Sequence, residues 1–120
     1  ERLKPYFKGK PVNPCIVNRT KPPQGFGRHF DNSKFDDPVA TLCTNSGVNI
    51  IFIHKDGRHY HAMRSQRRSL IVMSGESRYE YQHAIPEGVD DAWKGKLIPR
   101  NMRISWTLRS MRDLSKYDDL

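Results

Sequence analysis

Short apolar segments separated by turn residues run through most of the chain. Six of them have the β-branched and apolar content that is typical of strands, namely residues 15–17, 38–44, 48–54, 68–73, 79–85 and 102–111. No segment has the periodicity of a long helix, and no internal repeat is present. The pattern therefore predicts an all-β fold, either a sandwich, a barrel or a jelly roll.

Turn residues divide these strands. Asp56-Gly57 lies between two extended segments and predicts a hairpin. Residues 86–99 hold two glycines and an acidic pair and are predicted to form a loop, while residues 1–27 are predicted to be mostly irregular. We expect one domain over residues 1–120, with irregular ends at 1–14 and 113–120.

The last strand has two chemically distinct faces. Side chains alternate along a strand, so one face carries Met102, Ile104, Trp106 and Leu108 and the other carries Arg103, Ser105, Thr107 and Arg109. The simplest interpretation places the apolar face in the core and the polar face in water. The alternative is that the polar face borders a functional site.

Composition narrows the possible partners. The 120 residues carry a formal net charge of +8, which favours a polyanionic partner, nucleic acid first and an anionic membrane surface second. Many basic proteins have no such partner. The two cysteines, Cys15 and Cys43, form no CxxC motif and fit free thiols in an intracellular compartment, cytoplasmic or nuclear. The apolar runs are too short for a transmembrane segment.

One short motif suggests a metal site. His29 and Asp31 are two residues apart, so in extended backbone both side chains point to the same side. A distant histidine would complete the two-histidine, one-carboxylate triad that binds non-haem iron(II). An H-x-D pair alone is common in loops. Among the other histidines, His59 and His61 fit a solvated hairpin, whereas His83 has aromatic neighbours and fits either a dry pocket or a structural role.

Four segments, in order, resemble the AlkB family of iron(II)- and 2-oxoglutarate-dependent dioxygenases. They are N-R-T-K-P-P-Q-G-F-G-R-H-F-D at 18–31, D-P-V-A-T-L at 37–42, S-L-I-V-M-S-G-E-S-R-Y at 69–79 followed by Q-H-A-I at 82–85, and R-I-S-W-T-L-R at 103–109. The similarity extends over residues 12–112. It implies a double-stranded β-helix, or jelly-roll, core with few or no helices.

The resemblance also implies site residues. His29, Asp31 and His83 would be both the catalytic centre and the ligands of iron(II), with open positions for 2-oxoglutarate and O2. Four side chains would hold 2-oxoglutarate: Arg103, Ser105, Arg109 and Asn18. Arg103 would pair with the distal carboxylate, because a guanidinium fork matches two carboxylate oxygens. Thr20 stands where many family members have a tyrosine that contacts 2-oxoglutarate.

The implied reaction is oxidative demethylation of N-methylated RNA or DNA, with release of formaldehyde, succinate and CO2. Basic side chains of the hairpin region could contact phosphates: Lys55, Arg58, Arg64, Arg67 and Arg68. Glu76 and Arg78 could support the site or face the substrate, and they could equally form a structural pair in a turn. Residues 32–34, Asn-Ser-Lys, replace the acidic residues of the bacterial DNA-repair members and leave the substrate open.

Other functions fit the same residues. The chain could demethylate or hydroxylate a protein side chain, or it could be a non-catalytic basic jelly roll that binds RNA. A zinc hydrolase with the same three ligands would leave Arg103 and Arg109 without a role. We expect a monomer.

Overall fold

The strand prediction is confirmed by a computed structural model, which describes residues 15–31 and 35–111. Within these residues the chain is almost entirely extended, with one four-residue helix. The strands are β1 (Cys15–Thr20), β2 (Phe26–His29), β3 (Phe35–Asn45), β4 (Val48–His54), β5 (Tyr60–Ser65), β6 (Ser69–Met73), β7 (Tyr81–Ile85), β8 (Asp90–Trp93), β9 (Lys96–Pro99) and β10 (Arg103–Met111), and the helix, α1, is Glu76–Tyr79.

Two four-stranded antiparallel sheets form the framework. The first has the order β1-β10-β3-β6 and the second has the order β2-β7-β4-β5, while β8 and β9 form a separate hairpin. Successive segments pass from one sheet to the other, so that β3 and β4 lie in different sheets and β6 and β7 do as well. This alternation is the jelly-roll arrangement that the strand pattern and the family resemblance predicted.

The core lies between the two sheets. Val39 on β3 and Met73 on β6 pack against Val48, Ile50 and Phe52 on β4, and all five are buried. Because the three β4 residues are two apart, they share one face of that strand. Partly buried apolar residues extend this cluster towards β7. The core therefore joins the sheets at β3, β4 and β6, and it forms one wall of the cavity described below.

The prediction of a loop over residues 86–99 holds for residues 86–89 and is wrong for residues 90–99, which form the β8–β9 hairpin. Its two-residue turn places Lys94 at φ 50° and Gly95 at φ 77°. A tight hairpin turn needs positive φ at both central residues, and glycine accepts it easily while lysine does not. Because a lysine occupies the first of these two positions, the sequence lacks the residue pair that usually predicts such a turn. The segment 79–85 also differs from the prediction, since Tyr79 ends α1 and β7 begins at Tyr81.

The predicted irregular region 1–27 is only partly described. From residue 15 onward it holds all of β1 and the start of β2. The strand predicted at residues 15–17 is therefore confirmed, whereas the irregular structure predicted for residues 18–20 and 26–27 is wrong. The predicted irregular ends at 1–14 and 113–120 lie outside the described residues, as do residues 32–34.

The two faces of strand β10 lie the opposite way round from the simplest interpretation of its sequence, which placed the apolar face in the core. Arg103, Ser105 and Arg109 are 6%, 4% and 9% exposed, whereas Trp106 is 39% exposed. The polar face therefore points between the sheets, and the apolar face lies on the outer side of the first sheet. Burying two guanidinium groups is costly unless something pairs with them. The burial thus identifies the inner face of β10 as the wall of a site.

A buried ionic network fixes the β8–β9 hairpin to the second sheet. The Asp91 carboxylate accepts hydrogen bonds from Arg64 Nη1 at 2.8 Å, from Arg100 Nε at 2.9 Å and from the Asn49 backbone N–H at 3.2 Å. The Arg64 side chain is only 11% exposed. The expectation that Arg64 contacts phosphate is therefore not supported, because its guanidinium is engaged inside the fold.

We expect Asp91→Asn to destabilise the fold by about 2 kcal/mol, because the amide leaves two buried cations without their counter-charge. The neighbouring Asp90→Asn is the matched control, since Asp90 is exposed on the same strand. Urea denaturation of both variants measures the difference. Equal unfolding midpoints for the two variants would contradict the stabilising role of the network.

The remaining sequence predictions concern membrane segments, the cysteines, the cellular location and the oligomeric state. No helix among the described residues is both long and apolar enough to span a membrane. Cys43 is a buried free thiol, while the Cys15 side chain lies outside the described residues. An intracellular location and a monomeric state stay predictions.

Candidate active site

Two histidines and one aspartate converge from strands that are distant in sequence. His29 ends β2 and lies directly opposite His83 on β7, and Asp31 follows two residues after His29. The two imidazole rings are 4.3 Å apart between centroids, and His83 Nε2 lies 3.9 Å from Asp31 Oδ2. One ligand atom from each of the three residues lies within 4.8 Å of the others. This donor set is the one that non-haem iron(II) takes in a facial triad.

The local backbone fixes which nitrogen of His29 is free. His29 Nδ1 lies 2.8 Å from the Gly27 carbonyl oxygen. A carbonyl only accepts hydrogen bonds, so Nδ1 carries the hydrogen and Nε2 keeps its lone pair. Metal-binding histidines are commonly oriented in this way by a hydrogen bond from the second ring nitrogen. His29 is thus prepared to bind a metal through Nε2.

The surroundings of His83 favour its neutral form, which is the form that binds a metal. Burial lowers the pKa of His83 below its ordinary value, the Asp31 carboxylate opposes this, and the charges of His29 and Arg78 add to the lowering. A neutral imidazole binds metal without first losing a proton.

The three side chains border a cavity of about 330 Å³ between the sheets. On the opposite wall, β10 contributes four consecutive inward side chains: Arg103, Ser105, Thr107 and Arg109. Asn18 on β1 pairs with Ser105 and borders the same cavity. A volume of this size suits a small organic ligand. The residues predicted to bind the metal and those predicted to bind 2-oxoglutarate therefore line one space.

The two arginines have unused donors inside the fold. Among the described residues, no hydrogen-bond partner exists for the buried Nε of either Arg103 or Arg109. An unsatisfied buried N–H is costly, and a carboxylate is the partner that matches a guanidinium best. 2-Oxoglutarate carries two carboxylates, so these residues fit it.

Arg109 lies within electrostatic reach of Asp31, one member of the ligand trio. Its guanidinium packs 3.7 Å from the centre of the Phe35 ring. Burial lowers the pKa of Arg109, the charge of Asp31 raises it, and the charge of Arg78 lowers it further. Thr20, in contrast, borders a smaller neighbouring cavity rather than this one. Its hydroxyl is therefore not among the groups that line the main cavity.

The structure does not bring the basic hairpin residues to this cavity. Lys55, Arg58, Arg67 and Arg68 are exposed around β5 and the turns beside it, and none of them lines the cavity. Lys55 Nζ is 2.6 Å from Glu80 Oε2. Strand β5 is three positions from β2 in the second sheet, or about 14 Å at the usual strand spacing.

Arg78 has a role that the sequence analysis left undecided. It is 3% exposed, and it donates to the Asp31 carbonyl oxygen at 3.3 Å and to the Phe35 carbonyl oxygen at 3.1 Å. It thus ties the backbone on both sides of residues 32–34 to α1, just before the strand that carries His83. Glu76 is exposed. Burial of Arg78 favours a supporting role over a contact with substrate.

We expect Arg78→Met to weaken metal binding about 10- to 100-fold, as is usual when a group behind a metal ligand is lost. Arg78→Lys keeps the charge and one donor, so it should restore part of the affinity. The measurement is a manganese(II) titration well below the unfolding temperature of each variant, with exposed Arg58→Met as the control. Unchanged metal affinity in Arg78→Met would contradict this role even if the variant were less stable.

A second trio, His54, Asp56 and His59, also brings its ligand atoms within 4.8 Å of one another. Its contacts belong to the β4–β5 turn. The Asp56 carboxylate accepts the Arg58 backbone N–H at 2.7 Å, and His59 Nδ1 lies 2.8 Å from it. The hydrogen bond from the Arg58 N–H lowers the pKa of Asp56 to about 2; burial opposes this lowering, and His59 and His54 add to it. This trio does not border the main cavity.

Comparisons with known proteins agree with this geometry. The model of the 2OG-Fe(II) oxygenase superfamily matches residues 1–109. The chain is 35% identical over 124 residues to the mouse tRNA (carboxymethyluridine(34)-5-O)-methyltransferase ALKBH8, covering 89% of this chain and 18% of the relative. It is 32% identical over 108 residues to the mimivirus protein L905, covering 88% and 51%.

A more distant relative and one solved structure extend the comparison. The probable RNA/DNA demethylase ALKBH6 of Danio rerio is 25% identical over 128 residues, covering 86% of this chain and 55% of the relative. The chain thus spans 18% to 55% of the length of these three relatives. A crystal structure of the capsular polysaccharide assembling protein CapF from Staphylococcus aureus matches with a TM-score of 0.51 at 20% identity, covering 82% of this chain and 25% of that chain. The last similarity concerns the fold alone.

Proposed function

The chain belongs to the 2OG-Fe(II) oxygenase superfamily, and on that premise we propose that it is an iron(II)- and 2-oxoglutarate-dependent dioxygenase that demethylates N-methylated nucleic acid. One observation carries the proposal. A single cavity has a two-histidine, one-aspartate trio on the second sheet and two buried guanidinium groups on the first. A hydrolytic metal site has no use for the guanidinium pair, whereas a dicarboxylate co-substrate needs it.

Each part of the cavity has a separate task in this proposal. His29, Asp31 and His83 hold iron(II), which together with 2-oxoglutarate and O2 supplies the oxidising chemistry when bound. Arg103 binds the distal carboxylate of 2-oxoglutarate, with Ser105 and Asn18 beside it, and Arg109 orients the end nearer the trio. The apolar side chains of the core wall keep water from the reacting atoms.

Nucleic acid is the favoured substrate because of charge. The chain has a net charge of +8, and a polyanion gains most from such a field. Two of the relatives bear printed names that concern tRNA or RNA and DNA. A base inside a duplex cannot reach a cavity between two sheets, so the substrate must be single-stranded or unstacked. The products are the demethylated base, formaldehyde, succinate and CO2.

A formaldehyde-release screen tests the proposal. Methylated oligonucleotides and methyl-lysine peptides are incubated with iron(II), 2-oxoglutarate and O2, and His83→Ala is the control. We expect formaldehyde from at least one N-methylated oligonucleotide and none with the variant. Release from peptides alone would indicate a protein demethylase. Oligonucleotide binding without metal-dependent 2-oxoglutarate turnover would indicate a non-catalytic RNA-binding module.

A further inference from the structure

The cavity opens along one side of the jelly roll, between β1 and β2. These are the edge strands of their respective sheets, and neither pairs on its outer side with another described strand. Cavity-lining residues on these strands and just beyond β2 are exposed: Ile16 is 39%, Phe26 is 37% and Phe30 is 41% exposed. Lining residues on the inner strands, such as Phe52 and Ser105, are buried. We call the opening between β1 and β2 the entrance slot.

The chain segment that borders the entrance slot carries only cationic charges. Residues 15–30 contain Arg19, Lys21 and Arg28 and no aspartate or glutamate, and all three cationic side chains are exposed. The exposed aromatic rings of Phe26 and Phe30 line the cavity at this opening. Cations beside exposed aromatic rings form the usual surface for single-stranded nucleic acid, since the cations contact phosphates and the rings stack on bases.

Of the three cations, Arg28 lies nearest in sequence to the ligand trio, and it stands at the outer rim of the slot, because side chains alternate along β2 and the neighbouring His29 faces the cavity. It directly precedes His29, and its Nε donates to Gln82 Oε1 on β7 at 2.8 Å. That hydrogen bond holds the guanidinium at the edge of the second sheet. Among the described residues, the terminal nitrogens of Arg28 make no further hydrogen bond. The guanidinium is thus held in place before any ligand binds, and its two terminal nitrogens stay available to donate hydrogen bonds to a phosphate.

From these observations we propose that the backbone of a single-stranded nucleic acid lies along the outer rim of the slot, with Arg28 on a phosphate, while the target base enters between Phe26 and Phe30. The inference rests on the proposed function, because it identifies the substrate path to that site. It also moves the phosphate contact from the β4–β5 hairpin to the opposite edge of the second sheet.

The charge of the slot argues against a methylated protein tail as its occupant. Lysine methylation keeps the positive charge of the side chain. A methyl-lysine peptide would meet the three cations of residues 15–30, and the carboxylate of Asp31 that follows them is assigned to the metal. A phosphodiester backbone carries the complementary charge.

Fluorescence anisotropy tests this path without requiring turnover. The probe is a labelled single-stranded RNA of about twelve nucleotides, within the usual length range for such sites, titrated with the protein and with its Arg28→Gln and Arg58→Gln variants. Arg28→Gln should weaken binding about tenfold, the loss of one charge-assisted hydrogen bond. It should also lower the slope of log K against log salt by about 0.7, the value for one phosphate contact to a single strand.

Arg58→Gln is the matched control, since Arg58 is exposed on the β4–β5 turn. The affinity of this variant for the RNA should stay within about twofold of that of the parent protein. Unchanged binding in Arg28→Gln, or an equal loss in Arg58→Gln, would overturn the entrance slot as the phosphate-binding edge. So would tighter binding of a methyl-lysine peptide than of RNA. Uncoupled conversion of 2-oxoglutarate to succinate by the parent protein is measured separately. The oxygenase proposal fails only if that conversion is absent.

Discussion

Replacing His83 with alanine is expected to weaken metal binding severely and to abolish 2-oxoglutarate turnover. His83 is the member of the trio that lies on β7, and the centroid of its ring lies 4.3 Å from that of the His29 ring. Without it the cavity keeps one imidazole and one carboxylate, which bind metal weakly. The affinity for manganese(II) should fall by more than about a hundredfold, the upper end of losses seen when groups behind the ligands are removed. Calorimetric titration measures the affinity, and succinate formation measures turnover.

His61→Ala is the matched control for this prediction. Phe52 on β4 lies directly opposite His83 on one side and opposite His61 on the other. The two histidines therefore share one face of the second sheet, but His61 is exposed two strands away. We expect His61→Ala to bind metal as the parent protein does. Metal binding that survives His83→Ala, or that is lost equally in both variants, would refute the assigned ligand set.

Replacing Arg103 with alanine is expected to weaken 2-oxoglutarate binding by about a hundredfold, or about 3 kcal/mol, the usual range for truncating one partner of a buried charge pair. The Arg103 side chain is 6% exposed, and its Nε has no partner among the described residues. A bound carboxylate would then lose its main counter-charge. Arg103→Lys should give an intermediate affinity, because lysine keeps the positive charge but lacks the two parallel N–H donors of the guanidinium.

The control for Arg103 is Arg67→Ala, because Arg67 is exposed and lies away from the main cavity. Binding of 2-oxoglutarate to the manganese(II)-loaded protein is measured for each variant, so that turnover does not enter the result. The proposed carboxylate site would be wrong if Arg103→Ala bound 2-oxoglutarate as tightly as Arg67→Ala.

Regular alternation made most of the strands predictable. Residues 48–54 alternate buried and partly buried side chains along β4, and its predicted bounds agree with the structure. The β8–β9 hairpin was missed because its turn uses Lys94 at positive φ, a conformation that lysine seldom adopts. The orientation of β10 was left open for a different reason. A strand pattern shows which residues share a face, but not which of two faces meets a cavity.

The residues of the candidate site were predictable from the sequence, whereas the position of its entrance was not. The family resemblance supplied the three proposed ligands and the arginines of β10, and the structure places them around one cavity. The position of the cationic entrance was not predictable. Charge clusters in sequence pointed to the β4–β5 hairpin, whereas the sheet order places that hairpin far from the opening and places Arg28 beside it. Strand order is a long-range property that local composition does not encode.

The central claim is that the trio and the two guanidinium groups act on one bound co-substrate. Calorimetric titration of 2-oxoglutarate into the protein, with and without manganese(II), tests it most directly. The account predicts that the metal strengthens binding by at least about tenfold, because one end of the co-substrate meets the metal and the other meets Arg103. Equal affinities with and without the metal would show that the two halves of the cavity do not share a ligand, and would contradict the account.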